Sequence, residues 1–307
     1  MERTAKTWKP EFVYGLGDNF YFWGVQDVYD PMWRHTFENV YTSEELQCDW
    51  YMTSGNHDWE FGNISAQISY SQISSRWTYP ALHYTVDYEL EDGTTFRMIT
   101  IDTPTLSGIT IGENKDPEGN PPDKGVAEAC WIWIEETIKA SDKFDYIFVV
   151  GHYQTIDARG YWDAALVHRL LPLMKESRVT TYIQGHWHTM EHVQEKGFDG
   201  EHDIHFITNG AGAYPGFSSH TPCNKVLNFT STCTRSHYLS VFQDEVVCHL
   251  NWSGDFYDGA YMYVNINKYR AQITMISAHS DKVIYTTELL PRFHQLETQI
   301  GSPHVEL

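Results

Sequence analysis

Four short segments, each built around glycine, carry a metal-binding side chain out of a strand-like run. They are Gly17-Asp18-Asn19-Phe20-Tyr21, Gly55-Asn56-His57-Asp58, Val149-Val150-Gly151-His152 and Gly185-His186-Trp187-His188. The apolar runs before them are residues 12–16, 51–54, 146–150 and 180–184. Side chains that leave strand ends on glycine turns converge at one edge of a sheet, where open α/β folds place their ligands. The pattern therefore calls for an α/β fold with those strand ends gathered. One Asp, one Tyr, one Asn and three His form a mixed donor set. Carboxylate, phenolate and amide oxygens together with imidazole suit a hard trivalent iron beside a borderline divalent metal.

With those residues in view, the chain resembles the purple acid phosphatases, and within them the small tartrate-resistant acid phosphatases of animals. The resemblance runs from before Gly17 to about Pro291. It includes Asn63-Ile64-Ser65-Ala66-Gln67-Ile68, Ser75-Arg76-Trp77, Ile101-Asp102-Thr103 and Asn209-Gly210-Ala211-Gly212. It implies the four-layer metallophosphoesterase fold, an α/β architecture of two sandwiched sheets flanked by helices. It also implies a binuclear centre of iron(III) and a divalent ion (iron, zinc or manganese). Asp18 would bridge the two metals, Tyr21 and His188 would bind the iron, and Asn56, His152 and His186 the second ion. His57 would touch the phosphate or leaving group. The implied activity is hydrolysis of phosphate monoesters by attack of metal-bound hydroxide.

The chemistry accounts for those residue types. Two metals sharing a carboxylate clamp the phosphoryl oxygens and lower the pKa of bound water. A positioned imidazole such as His57 donates a proton to the departing oxygen. On an extended backbone side chains two apart point the same way, so His186 and His188 would face the metals and Trp187 away from them.

Three departures from the family stand out. The family opens with a strand ending in Gly-Asp-x-Gly, whose Asp is a terminal iron ligand. Here Met1 leads into Glu2-Arg3-Thr4-Ala5-Lys6-Thr7, which resembles the helix after that strand. The expectation is a single phosphoesterase domain over 1–307, N-terminally incomplete, lacking its first strand and leaving an unpaired sheet edge. Second, the further histidine usual downstream of His152 is missing, and Arg159 or Tyr161 is a candidate to contribute a charge or a hydrogen bond in its place. Third, Trp187 stands where a small or acidic residue is commoner. These departures raise a rival reading, a non-catalytic scaffold on the phosphoesterase fold, as in some parasite relatives in motor complexes. Six retained ligands oppose it, since a binding scaffold has no reason to bury a charged ligand cluster. Tyr21 disfavours a phosphodiesterase or nucleotidase.

Lys and Arg number 21 against 41 Asp and Glu, a formal charge of −20 that repels nucleic acid. Small phosphorylated substrates or phosphoproteins would be drawn in by the metals instead. Three glycosylation sequons start at Asn63, Asn228 and Asn251. Among five cysteines, Cys223 and Cys233 are close enough for a local disulfide, with Cys248 nearby; the connectivity stays open. No stretch has membrane-spanning length and no signal peptide is present, yet the resemblance points to a secreted or lysosomal protein.

Periodicity predicts a helix over 125–140 with Val126, Cys130, Trp131, Ile134 and Ile138 on one face, and a second over 163–177 with Pro172 as a kink or a tight packing point. Residues 261–266, 272–276 and 283–289 read as strands. A hairpin is expected between 87–90 and 95–101, turning at Asp92-Gly93. The glycines of Asn209-Gly210-Ala211-Gly212 are expected to allow close backbone approach.

Overall fold

A computed structural model describes residues 1–60, 62–108, 124–157, 160–161, 163–197, 202–212, 248–254 and 259–293. Three parallel strands form the first sheet: β1 (Phe12–Leu16), β2 (Asp49–Thr53) and β3 (Trp77–Thr78). Next in the chain come β4 (Tyr84–Glu89), β5 (Thr95–Thr100) and β6 (Tyr146–Val150), then a small ribbon of β7 (Ile156–Asp157) and β8 (Gly160–Tyr161). They are followed by β9 (Thr181–Gln184), β10 (Met190–Lys196), β11 (Asp203–Asn209) and β12 (Cys248–Gly254). A seven-stranded sheet takes the order β12-β10-β11-β9-β6-β5-β4. Its β5, β6, β9 and β11 run parallel, while β4, β10 and β12 are antiparallel to their neighbours. An antiparallel meander of β13 (Ala260–Ile266), β14 (Ala271–Ser277) and β15 (Val283–Leu289) makes the third sheet.

All five residues of β6, Tyr-Ile-Phe-Val-Val, are buried, as a central parallel strand covered on both faces requires. One face of the seven-stranded sheet meets helices through Ile147, Val149, Tyr182, Val193 and Phe206. The other packs Phe96, Phe148, Ile183 and Ile207 against Ile273, Met275 and Leu289 of the meander, with Phe12, Tyr14 and Leu16 of β1 beside them. Helical segments cover the far side of the first sheet through Trp33, Phe37, Ile64 and Tyr70. The layers are therefore helix, sheet, sheet, helix, the four-layer sandwich expected from the sequence. Among the described residues β1 is an edge strand, and no helix is long and apolar enough to cross a membrane.

The predicted hairpin turns at Asp92-Gly93, with Gly93 at φ +83° and the Asp92 carboxylate accepting from the Thr94 N–H at 3.0 Å. One helix expectation changes. The helix Lys124–Lys139 buries Ala127, Trp131, Ile134 and Ile138, and Val126 is 46% exposed. The buried stripe passes through the small Ala127, one residue round from the larger Val126, because Ala127 is the residue one turn before Trp131. The second predicted helix is continuous over residues 164–176, with a π-helical stretch Leu166–Leu170 leading directly into the α-helical Leu171–Glu176. Pro172 lies inside this helix directly after the π-helical stretch, the local irregularity that accommodates its missing N–H.

Candidate metal centre

Strand β1 runs into Gly17 at φ +87° and Asp18 at φ +53°, two successive left-handed residues that swing the carboxylate back over the strand ends. Glycine is required at the first. A Cβ on Gly17 would lie 2.6 Å from both the Gly55 nitrogen and His152 Nδ1. Asn19 fixes the turn by donating from its amide to the Thr53 carbonyl at 2.8 Å, which ties it to the end of β2.

The two oxygens of the Asp18 carboxylate face different groups. Oδ1 lies 3.4 Å from His152 Nε2, which is itself 3.2 Å from the Asn56 side-chain oxygen. Oδ2 accepts from the Tyr21 hydroxyl at 3.0 Å, and that hydroxyl is 2.9 Å from His188 Nε2. Donor atoms of Asp18, His152 and His186 all lie within 4.8 Å of one another. The six residues singled out as ligands are thus together, in two groups on either side of one carboxylate.

His152 shows why a cation fits. Its Nδ1–H donates to the Leu16 carbonyl at 2.7 Å, so Nε2 is the nitrogen that faces Asp18 and Asn56. Once a cation displaces the proton from Nε2, three electron-pair donors from three strand ends face one another there. Burial works against a proton on His152, but the Asp18 charge outweighs it and raises the imidazole pKa. Burial likewise pushes the Asp18 carboxyl up, and His152, then His186 and His57, overcome it and hold the group well below the usual carboxylate range. His186 is pushed down to about 3 by burial and by the neighbouring His152 charge, which favours the neutral imidazole. Burial, and then Asp18, raise the Tyr21 phenol far above its ordinary value. Phenolate formation there needs a strong positive charge, as a trivalent ion supplies.

His186 and His188 do not extend β9. The strand ends at Gln184, and His186 adopts φ +59°. The extended His-x-His geometry expected from the sequence is therefore replaced by a bend, which turns the two imidazoles to different partners. His186 meets His152 and Tyr153, with ring centroids at 5.1 and 4.8 Å, while His188 meets Tyr21 edge-on at 5.9 Å. Gly210 lets the chain pass this bend, since a Cβ there would collide with the Trp187 carbonyl; nothing lies within 4 Å of the position at Gly212.

His57 is half-exposed beside the cluster. Its backbone N–H donates to Asp18 Oδ1 at 3.0 Å and its Nδ1–H to the Phe22 carbonyl at 3.0 Å, which leaves Nε2 as the nitrogen turned away from the main chain. Asp58 is fully buried and structural. It accepts from the N–H groups of Gly55 and Asn19 and from the Gln67 amide at 2.9 to 3.1 Å, and burial followed by the Asp18 charge raises it to about 6. Asn19 and Gln67, bonded to each other at 3.2 Å, hold the Asp18 turn against the His57 turn. Sequence reasoning gave them no role, although both lie within the quoted motifs.

Asn63 is exposed and caps the helix Ile64–Tyr70, accepting from the Ala66 N–H at 3.2 Å. Asn251 is exposed on β12, with its amide donating to Gln194 at 3.0 Å. Cys48 and Cys130 are free thiols. Asn228, Cys223, Cys233, Arg159 and the Tyr161 side chain lie outside the described residues.

Residues 1–190 match the family model described as calcineurin-like phosphoesterase. Tartrate-resistant acid phosphatase type 5 of Sus scrofa is 31% identical over 299 residues, covering 96% of this chain and 80% of that protein. Purple acid phosphatase 17 of Arabidopsis thaliana is 33% identical over 210 residues, covering 66% and 59%. A solved structure titled as GAP50, the anchor in the inner membrane complex of Plasmodium, shares the fold at a TM-score of 0.69 and 23% identity, covering 100% of this chain and 89% of that one. With the divided Asp18 carboxylate at its centre and these relatives around it, the chain belongs to the calcineurin-like phosphoesterases, in the purple acid phosphatase family.

Proposed function

We propose that this protein is an acid phosphatase that hydrolyses phosphate monoesters at a binuclear centre built on Asp18. The observation that carries the reading is the division of the Asp18 carboxylate, one oxygen toward His152 and Asn56 and the other toward Tyr21 and His188. Tyr21 and His188 would hold iron(III), and Asn56, His152 and His186 a divalent iron, zinc or manganese. A pair of ions bound there supplies Lewis acidity and makes water acidic enough to give a nucleophile.

The chain's own groups do the rest. Asp18 carries negative charge between the two groups of ligands and keeps it at acid pH, because its histidine neighbours hold it ionised. His152 is oriented by the Leu16 carbonyl, so its Nε2 cannot turn away. His57, anchored through Nδ1 to Phe22, presents Nε2 as the proton donor to the leaving oxygen. Asp58 and Gln67 keep the turn that carries His57 rigid. Small phosphorylated molecules or phosphoproteins are the substrates on this reading, and a secreted or lysosomal setting suits acid operation and the sequons at Asn63, Asn228 and Asn251.

The test is metal content together with turnover of 4-nitrophenyl phosphate near pH 5 for the wild type, Asp18→Asn and His186→Ala. Metal-dependent turnover that both substitutions abolish, with circular dichroism unchanged, is the expected result. Full activity in either variant would sink the site assignment. Tight metal binding without turnover, or neither, would put the scaffold reading first.

A further inference from the structure

Strand β10 leaves the His186–His188 bend and carries His192 and Gln194 on the face that holds Met190, toward the meander; Val193 faces the helices. On β11, His205 shares its face with Ile207, which packs in the same inter-sheet core. A cavity of about 540 Å³ opens there between the two sheets, and its lining includes His192, Gln194, His202, His205, Asn251 and Tyr285. Its imidazoles form a group distinct from the Asp18 centre.

His192 is 1% exposed, with a partner on each nitrogen. Its Nδ1 is 2.7 Å from the Tyr285 hydroxyl of β15, and its Nε2 is 2.9 Å from His205 Nδ1. The Asn251 amide lies 3.3 Å from the same Nε2. Tyr285 is stacked on Trp252 at 4.8 Å and 15°, so the hydroxyl that orients His192 is itself fixed. When His192 donates from Nδ1 to Tyr285, its Nε2 lone pair points at His205, the outer-partner arrangement usual for a metal-binding histidine.

We infer that His192 Nε2 and His205 Nδ1 form a second binding site, for a single borderline divalent ion of the zinc type, placed between the two sheets. Two imidazole nitrogens on a tetrahedral ion at about 2.0–2.1 Å stand roughly 3.3 Å apart. The observed 2.9 Å therefore has to open by about 0.4 Å and both rings have to turn off the line that joins them, with His205 moving its proton from Nδ1 to Nε2. The cavity has room for the waters that complete the coordination. Burial, and then the neighbouring imidazole charge, push His192 down to about 3. Burial also lowers His205, to about 4, with His202 contributing and Asp203 opposing. Imidazole donors select zinc, copper or nickel over calcium or magnesium, and the overall charge of −20 favours cation entry. An ion held there links β10 and β11 to β15 through Tyr285.

The purified chain is dialysed against zinc chloride, its bound zinc is counted by mass spectrometry, and it is compared with a His192→Gln, His205→Gln double variant. The expected result is loss of about one zinc per chain, with loss of the zinc-dependent rise in thermal midpoint. Tyr285→Phe should weaken zinc binding roughly tenfold or more without removing it. An unchanged zinc count in the double variant overturns the site. If that variant does not fold, anomalous scattering from zinc-soaked wild-type crystals decides. A peak between His192 and His205 supports the inference, and an empty position refutes it. Phosphatase turnover is read separately and does not enter either outcome.

Discussion

The Tyr21 hydroxyl and His188 Nε2 lie 2.9 Å apart, although 167 positions separate them in the chain. The return of the chain through β9 beside the end of β1 brings them together, and the same hydroxyl donates to Asp18 Oδ2. Tyr21→Phe removes the phenol and leaves its ring beside His57. With iron bound, the variant should lose the phenolate-to-iron absorption band in the visible spectrum. Iron affinity should fall by at least roughly tenfold. Retention of the colour would show that the phenol is not the iron ligand.

Gly55 faces the same carboxylate from the other side. A Cβ there would collide with Asp18 Oδ1 and lie 2.6 Å from His152 Cε1. Gly55→Ala should cost about 1–3 kcal/mol of stability through overpacking. Its effect on metal content should be larger than its effect on fold, because the displaced groups are the donors themselves. Metal analysis beside a denaturant titration separates the two, and full metal occupancy in a folded variant would contradict the geometry.

The motifs made the strand ends legible because each ligand stands directly after an apolar run, and β1, β2, β6 and β9 form where those runs lie. The conformation of His186 was not legible. Alternation along a strand predicts direction only while the strand continues, and β9 stops at Gln184, two residues short. The Val126 face failed because helix phase is set by Trp131 and Ile134 meeting the sheet, which composition cannot rank above Val126. The His192–His205 pair carries no sequence spacing at all. It arises from β10 and β11 lying antiparallel, with His192 opposite Ile207 and Gln194 opposite His205, so that the two imidazoles sit diagonally on one face.

Arg292 closes the end of the sandwich remote in sequence from the ligands. It is 4% exposed and donates to the carbonyls of Arg178, Ser177, Asp142 and Phe144 at 2.9 to 3.0 Å, and to the Asp142 carboxylate at 3.0 Å. These bonds pin the segment after β15 to the loops that precede β6 and β9. Lysine offers one ammonium in place of a planar fork and cannot reach both loops. Arg292→Lys should lower unfolding free energy by about 2–4 kcal/mol, leaving carbonyls without donors. Urea unfolding checks this, and a midpoint within experimental error of the wild type would show that the carbonyls find other partners.

Asp163 gives a pH dependence whose sign follows from its surroundings. It is buried, and its Oδ1 accepts from the Leu166 N–H at 2.8 Å, at the start of the π-helical turn. Burial raises its carboxyl to about 6, with the hydrogen bonds from Leu166 and Ala165 opposing the rise only in part. The native state therefore holds this proton more tightly than the unfolded chain, whose aspartates titrate at about 3.9. The contribution to stability is complete below about pH 3.9 and is lost as pH rises through about 6, where folding must keep a buried carboxylate charged. Asp163→Asn keeps the acceptor for Leu166 and cannot ionise. Its stability relative to the wild type should increase by about 1–3 kcal/mol between roughly pH 4 and pH 8. Denaturant midpoints of both proteins across that range measure the difference, and a constant offset would mean that Asp163 ionises in the native state as freely as in the unfolded chain.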